Sequence, residues 1–350
     1  MVNMHDVGRA AGVSQAAVSY AYNQPHKVSA VTRQHILDVA ARLGYAGPDP
    51  SGRSLRTGRV GAFGLLLTES LHYAFDDPAT TQLLKGISEV GELAEVALTL
   101  LPLIEPSRFT AGSGVLVTGP VDGFLAYAIP DRHPSLDIVA SRGLPIVIID
   151  GSNPTDLSHV GIDDAAAAGV AVEHVLQLGH RKVGILIDRL VPDGRRGRVG
   201  PARIKIATDH VMKERLVGYS AGFERCGVPW RNARVIEAGG FDYKTSRAAA
   251  HAMLDHGDIT AVVAASDVLA LATIDELHAR GLQVPHDVTV VGFDDIPAAA
   301  QRGLTTIRQP LVDKGREAAR LLLDMIEGRE GRSVTLPTEL VLRSTSASLA

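Results

Sequence analysis

The sequence predicts a small all-α head followed by a larger α/β body of two parallel-sheet lobes. Three observations carry that expectation. Residues 1–45 hold three short helical patterns separated by turn residues, residues 46–52 form a Pro- and Gly-rich break, and from residue 60 apolar runs alternate with helical patterns. At 350 residues the chain is too long for one ordinary domain and suits two or three.

The first helical pattern covers residues 6–11, with Val7, Ala10 and Ala11 on its apolar side. Gly12-Val13 interrupts it, glycine being the residue that admits the positive φ of a tight inter-helix turn. Ser14 supplies an N-cap oxygen to a second helix over 15–22, whose Val18 and Ala21 face inward. Asn23-Gln24-Pro25 ends it. Ser29 caps a third helix running to Leu43, with Ile36, Val39, Ala40 and Leu43 at helical spacing, and Gly44 stops it. The break that follows, Ala46-Gly47-Pro48-Asp49-Pro50-Ser51-Gly52, suits neither a stable helix nor a central strand and reads as a linker. Residues 53–57 have helix-forming potential but are too short to hold a helix alone.

In the body, strands are expected at 60–67, 96–101, 121–128, 145–149, 183–187, 261–265 and 288–291. Helical patterns lie between most of them, at 80–93, 165–178, 215–226, 245–256, 268–280 and 314–326. Strands that are apolar throughout belong to parallel sheets covered on both faces. So long an alternation would overload one sheet, which gives two lobes. Residues 189–208 interrupt the pattern, and their Gly- and Arg-rich first half reads as a mobile loop. Ala318, Leu321, Leu322, Met325 and Ile326 form a stripe that is either core or a dimer contact. Trp230, beside Pro229, reads as a surface or packing residue.

Composition bounds the function. Hydrophobic residues at 45% and charged residues at 21% describe a globular chain with ample core, and the longest apolar runs have the length of buried strands, not of membrane spans. Asp6 and other polar residues stand where a secretory signal would be apolar, and Cys226 is a lone cysteine; both point to the cytoplasm. Gly112-Ser113-Gly114 lacks the pattern of a nucleophile elbow, and neither a phosphate-cradling loop nor a metal-spaced His pair occurs. No catalytic residue, metal or cofactor is therefore expected, and the chain does not read as an enzyme.

Charge is unevenly placed. Seven basic residues against three acidic ones leave residues 1–59 at +4, so the remainder carries −8 within a total of −4. A basic head on an acidic body suits a polyanion-binding module attached to something else. In a helix-turn-helix the second helix enters the major groove and its first side chains meet base edges. Here those outward positions are Gln15, Ala16, Ser19 and Tyr20. Gln pairs with adenine, Ala touches a thymine methyl, and Tyr reaches a base or a phosphate. Ser14, Ser29, Thr32 and Arg33 sit at helix N-termini, where backbone N–H groups can hold phosphate oxygens. The helical pattern by itself also fits a small bundle that binds a partner protein, the plainer reading.

A run of residues carries a resemblance. His5-Asp6-Val7-Gly8-Arg9-Ala10-Ala11-Gly12-Val13-Ser14, then Val18-Ser19, Asn23, Val28-Ser29, Thr32-Arg33 and Leu43-Gly44-Tyr45, is similar to the head of the LacI–GalR family of bacterial transcriptional regulators. Arg53-Ser54-Leu55-Arg56-Thr57-Gly58 resembles that family's hinge. Further matches run in order through 172–181, 215–219, 291–295 and 304–310. The resemblance implies that the hinge becomes helical in a dimer on DNA, with Leu55 as the apolar wedge between base steps; a packed linker leucine is the plainer reading of Leu55. Tyr20 departs from the Arg or His of the best-known members, and Gly52 makes the hinge costlier to order.

The resemblance also implies that the body is periplasmic-binding-protein-like, with an effector between its lobes. Ligands of such sheets bind at the C-terminal ends of the strands. Asp150, Asp188, Ser266-Asp267 and Asp294-Asp295 directly follow apolar runs there. A carboxylate accepts from two hydroxyls at once, which suits a sugar, although strand-end Asp is as often a cap or turn former. By the family's pattern Asp150, Arg215, Ser266 and Asp294 contact the effector and Phe241 stacks on its ring. Tyr73, Phe75 and Asp76 follow the first strand and could close the cleft from the other side. Asp267 either touches ligand or organises its loop.

The resulting expectation divides the chain into a DNA-binding head (1–46), a hinge (47–59) and an effector-binding body (60–350). The lobes are placed at about 60–158 plus 296–322 and about 159–295 plus 323–350. The function read from this layout is a sequence-specific transcriptional regulator, a repressor controlled by a small molecule, with a sugar leading. Its partners would be a palindromic double-stranded DNA operator, the effector and a second copy of the chain, and no membrane. The absence of a heptad tail favours a dimer over a coiled-coil tetramer. The alternative is a solute-binding protein of a transport system.

Overall fold

The computed structural model describes residues 2–47, 58–68, 71–103, 114–152, 157–255 and 258–349. The chain divides into two compact units, residues 1–61 and 62–350. Leu55 and most of the expected hinge lie outside the described residues.

The first unit contains α1 (Met4–Ala11), α2 (Gln15–Asn23) and α3 (Ala30–Leu43). Helix α1 starts two residues earlier than its apolar pattern, because Asn3 and Asp6 form a capping box that satisfies the first backbone donors. Gly12 takes φ 68°, the left-handed turn expected between the first two helices. Ser14 and Ser29 accept from the backbone N–H groups of Ala17 and Thr32, both at 3.1 Å. Val7, Val18, Ala21, Ile36, Val39 and Ala40 form the core. Two expected core positions differ. Ala10 and Leu43 are exposed, while Gly8 is buried where α1 meets the loop before α2.

The second unit opens with β1 (Ala62–Leu67), α4 (Leu71–Asp76), α5 (Pro78–Leu93), β2 (Ala97–Pro102), α6 (Gly114–Thr118), β3 (Gly123–Tyr127), α7 (Pro134–Ala140), β4 (Ile146–Ile149) and β5 (Ser158–Ile162). The chain then crosses into α8 (Asp164–Gln177), β6 (Val183–Ile187), β7 (Gly197–Arg198), α9 (Pro201–Lys205), α10 (His210–Arg225) and β8 (Ala233–Glu237). The second lobe continues through α11 (Tyr243–Leu254), β9 (Ala261–Ala264), α12 (Asp267–Ala279), β10 (Thr289–Asp294), α13 (Pro297–Gln301) and β11 (Thr305–Arg308). It returns as α14 (Leu311–Ile326) and β12 (Ser333–Leu336), and crosses again to β13 (Glu339–Val341).

Two sheets result. The first has order β12-β5-β4-β3-β1-β2 and is parallel throughout. The second has order β13-β11-β10-β9-β6-β8-β7, parallel inside and antiparallel at both edges. Strands β1, β6, β9 and β10 are buried along their whole length, as two covered faces require. The expected lobe boundaries are corrected by this pairing. Residues 158–162 belong to the first sheet, 297–308 to the second lobe, and 323–336 to the first, because a crossover occurs where a strand finds its neighbour and not where polarity changes.

The second half of residues 189–208 and Leu190 are built into the lobe, while residues 192–196, in the Gly- and Arg-rich first half, are exposed. Arg203 is buried and its guanidinium bonds Glu237 at 2.8 Å and Asp193 at 2.6 Å, while Glu237 also accepts from the backbone N–H of Leu190 at 2.6 Å. Trp230 packs edge-on against Phe223 at 5.3 Å. Ala318, Leu321 and Leu322 of α14 are core, facing β3, β4 and α5. No helix among the described residues is long and apolar enough to cross a membrane.

Candidate functional site

Two surfaces gather the expected residues. On the head, Ser14, Gln15, Ala16 and Tyr20 are exposed and Ser19 is half-buried along α2, with Val18 turned into the core. This is the outward face expected of a recognition helix. The Lys27 ammonium lies 5.1 Å from the centre of the Tyr20 ring, adding positive charge at the end of that face. The cap residues are partly committed. Ser29 and Thr32 share a hydroxyl bond of 2.8 Å, Ser19 Oγ accepts from Asn23, and Arg33 donates to the Ala21 carbonyl at 3.1 Å. Arg33 thereby ties α3 to the end of α2.

In the second unit the C-terminal ends of both sheets enclose a cleft of about 950 Å³, part of it open to solvent. Tyr73, Asp150, Arg215, Phe241, Ser266 and Asp294 all line it. Phe75 and Asp76 do not. Phe75 is 59% exposed, and Asp76 pairs with His72 at 3.4 Å outside the cleft. Asp77, one residue on, lines the cleft and caps α5 by accepting from the Thr80 N–H at 2.9 Å. Tyr127, Asp188, Asp209 and Gln309 complete much of the polar wall.

The floor is a chain of buried hydrogen bonds that links the lobes. Lys314 of α14, fully buried, donates to Asp150 Oδ2 and to Gln309 Oε1, each at 2.6 Å. Gln309, in the crossover after β11, donates onward to Asp294 Oδ1 at 2.5 Å. Asp150, directly after β4, and Asp294, the last residue of β10, have φ of 50° and 118°, positive values held by these surroundings. Asp150 Oδ1 is buried without a hydrogen-bond partner. A ligand hydroxyl or amine can satisfy it.

Arg215 is anchored on three sides. Its Nε donates to Asp164 at 2.8 Å, a second nitrogen bonds the Ala265 carbonyl, and the guanidinium lies 3.6 Å from the centre of the Phe293 ring. Ser266 caps α12 and donates to Asp188 at 3.2 Å. Asp267 organises its loop, accepting from Thr306 Oγ1 at 2.6 Å and the Ile296 N–H at 2.9 Å. Phe241 lies 5.7 Å from Tyr73 across the cleft, with Arg189 at 4.5 Å from its ring centre. The Phe241 ring already has neighbours of its own before any ligand ring is added.

Electrostatics separates the carboxyls. Burial, reinforced by the charge of Asp294, pushes Asp188 up to about 8. Burial lifts Asp294 to about 7, against the pull of Arg215 and the Gln309 hydrogen bond. Burial likewise raises Asp209. Of the cleft residues that sequence reasoning missed, Lys314 carried a signal. It stands on the same helical stripe as Leu311, Ala318 and Leu321, a position that places a lysine inside.

Comparison with known proteins decides what these two units are. Residues 3–47 match the model for bacterial regulatory proteins of the lacI family, and residues 172–346 match a periplasmic binding protein-like domain. An HTH-type transcriptional regulator of Mycobacterium tuberculosis is 40% identical over 342 residues, covering 95% of this chain and 94% of the relative. The chain belongs to the LacI family. The solved structure of a LacI-family regulator from Corynebacterium glutamicum superposes with a TM-score of 0.76 at 31% identity, over 99% of this chain and 98% of the other. The transcriptional regulator CelR in complex with cellobiose gives 0.69 at 26% identity, over 99% and 100%. This LacI-family chain is thus a transcriptional regulator with a DNA-binding helix-turn-helix head and an effector-binding body. Its relatives are named as regulators, and none of these comparisons supports a transport role or an enzymatic activity.

Proposed function

We propose that this LacI-family regulator is a homodimeric, cytoplasmic repressor whose operator binding is controlled by a small polyhydroxylated molecule, a sugar in the first instance. The observation that carries the reading is the inter-lobe cleft itself. Its wall is rich in acceptors at strand ends, Arg215 is fixed among them, and Asp150 Oδ1 lacks a donor. The cellobiose of the CelR complex accords with that chemistry. Asp150, Arg215, Ser266 and Asp294 are the polar contacts, with Tyr73 and Phe241 closing the apolar side.

On DNA, Gln15, Ala16, Ser19 and Tyr20 read base edges, while Ser14, Ser29 and Thr32 bring helix N-termini to phosphates. Two heads address the halves of a palindromic operator, and Leu55 enters the minor groove. Effector binding shifts the population of body conformations able to hold both heads in register. DNase footprinting of the promoter region beside its own coding sequence should protect a palindrome, and protection should change with ligand and fade steeply with salt. An unprotected region, with and without sugars, overturns the proposal. Thermal-shift screening against sugars and nucleosides should give a shift that Phe241→Ala reduces; a shift confined to nucleosides would replace the sugar reading.

A further inference from the structure

The carboxyls around the cleft are not equally compensated. Asp150 has Lys314 at 2.6 Å and Asp164 has Arg215 at 2.8 Å. Asp77 caps the N-terminus of α5, and Asp209 caps α10 and feels the charge of Arg189. Among the described residues, Asp188 and Asp294 receive direct side-chain bonds only from neutral donors, Ser266 Oγ at 3.2 Å and Gln309 Nε2 at 2.5 Å, and both feel the Arg215 charge without a bond to it. Both are buried, at 3% and 7% exposure. Strand β9 lies between β6 and β10, and continuing the strand register puts Ser266 level with Asp188 on one side and Asp294 on the other.

We propose that the effector carries a protonated amine alongside its hydroxyls, as an amino sugar does, and that the ammonium seats over Ser266 between Asp188 and Asp294. The proposal rests on the reading of the cleft as a polyol site and deepens it. An ammonium offers three donors and one positive charge, which matches two ionised carboxylates and a serine oxygen. A neutral hydroxyl leaves two negative charges close together in a buried wall unless Asp188 and Asp294 keep protons, which burial favours. The acceptor left open at Asp150 is satisfied by a ligand hydroxyl at the other end of the same cavity.

The pH dependence follows from the groups around this seat. Asp188 faces Asp294, Asp209 and Arg215, with the Tyr219 phenol kept neutral by burial; Asp294 faces Asp77, Asp188, Asp267, Arg215 and Lys314. Raising the pH from 6 to 7.5 removes the proton from most of Asp294, at about 7, and begins to remove it from Asp188, at about 8, so affinity for the amine rises as long as the ligand keeps its own ammonium proton, while affinity for its neutral counterpart does not.

The experiment is calorimetric titration of the full chain with matched pairs, glucose against glucosamine, galactose against galactosamine and mannose against mannosamine, at pH 6 and pH 7.5. At least one amine should bind about tenfold more tightly than its neutral partner at the higher pH. Asp188→Asn should bring that ratio to within about twofold, and Asp294→Asn repeats the test if the first variant does not fold. Neutral sugars binding as tightly as the amines overturn the proposal and leave the polyol reading standing. If no member of either series binds, both fall.

Discussion

Arg203 shows what a single buried side chain does here. It is enclosed to 3% exposure between Glu237 and Asp193, and burial of Glu237 to 1% leaves that carboxylate no access to water. Arg203→Met should therefore cost about 3–5 kcal/mol in urea unfolding, because it strands Glu237, while the double variant Arg203→Met with Glu237→Met should recover most of the loss. Asp188 supplies a second residue-scale prediction. Its folded value of about 8 lies above the ordinary 3.8, so the folded chain holds a proton that the unfolded chain has released. Stability then falls as pH rises from about 4 to 8, and Asp188→Asn should raise the melting temperature at pH 8.5 by at least about 2–4 °C while changing it little at pH 4. An identical pH profile in the variant would show that Asp188 is not held protonated. Strand-end residues such as Asp150, Asp188 and Asp294 were legible because each follows an apolar run. Phe75 and Asp76 were not separable from Tyr73 by sequence distance. Tyr73 and Asp77 are four residues apart at the α4–α5 turn and share a face with Ala74 beside them, which leaves Phe75 and Asp76 outside.

Among the elements, α5 and α14 approach until their backbones touch. A Cβ on Gly86 would lie 1.9 Å from the Val312 carbonyl oxygen and 2.8 Å from the Arg316 nitrogen. Gly86→Ala should therefore force the pair apart and cost about 1–3 kcal/mol, measured as a lower urea midpoint at unchanged slope. An unaltered midpoint would mean that α14 shifts without loss. The same scale explains which strands were readable. Strands β1, β4, β6 and β9 announce themselves because their residues are apolar on both faces. Strand β5, Ser158–Ile162, and β11, Thr305–Arg308, are mixed sequences whose polar groups find partners only after folding. Thr305 Oγ1 meets Ser346 Oγ at 3.0 Å and Thr306 Oγ1 donates to Asp267 at 2.6 Å. No local pattern encodes partners 39 to 41 residues away. Helix α10 likewise starts at His210, five residues before its apolar pattern, since Asp209 caps it.

Across the second unit, the two lobes meet by more than the cleft wall. Lys213 pairs with Asp131 at 2.8 Å, the Asp131 N–H donates to the Thr208 carbonyl at 2.9 Å, and Tyr73 faces Phe241. These contacts bridge the lobes beside the cleft. The Lys213 and Asp131 side chains are 37% and 21% exposed, so the ion pair contributes only a few tenths of a kcal/mol to about 1 kcal/mol. Lys213→Met should weaken effector binding about two- to fivefold in calorimetry while leaving the melting temperature nearly unchanged. Equal affinity would show that this inter-lobe pair plays no part in effector binding. The overall architecture was legible because the alternation of strand and helix survives every local irregularity, whereas the lobe boundaries depend on which distant strand each segment joins.

That exchange of strands has a consequence for how the chain is made. The first sheet is bordered by β12 and the second by β13, both drawn from the last stretch of the sequence. Thr345 and Ala347 then bond back to Thr305 and Thr289, and the Leu349 N–H donates to the Leu178 carbonyl at 2.9 Å. Neither lobe can close its own sheet while the ribosome still holds that stretch. The three-helix unit has a core drawn entirely from residues already synthesised and can fold early. During translation, then, a finished DNA-reading module precedes the ligand-responsive half that is to govern it.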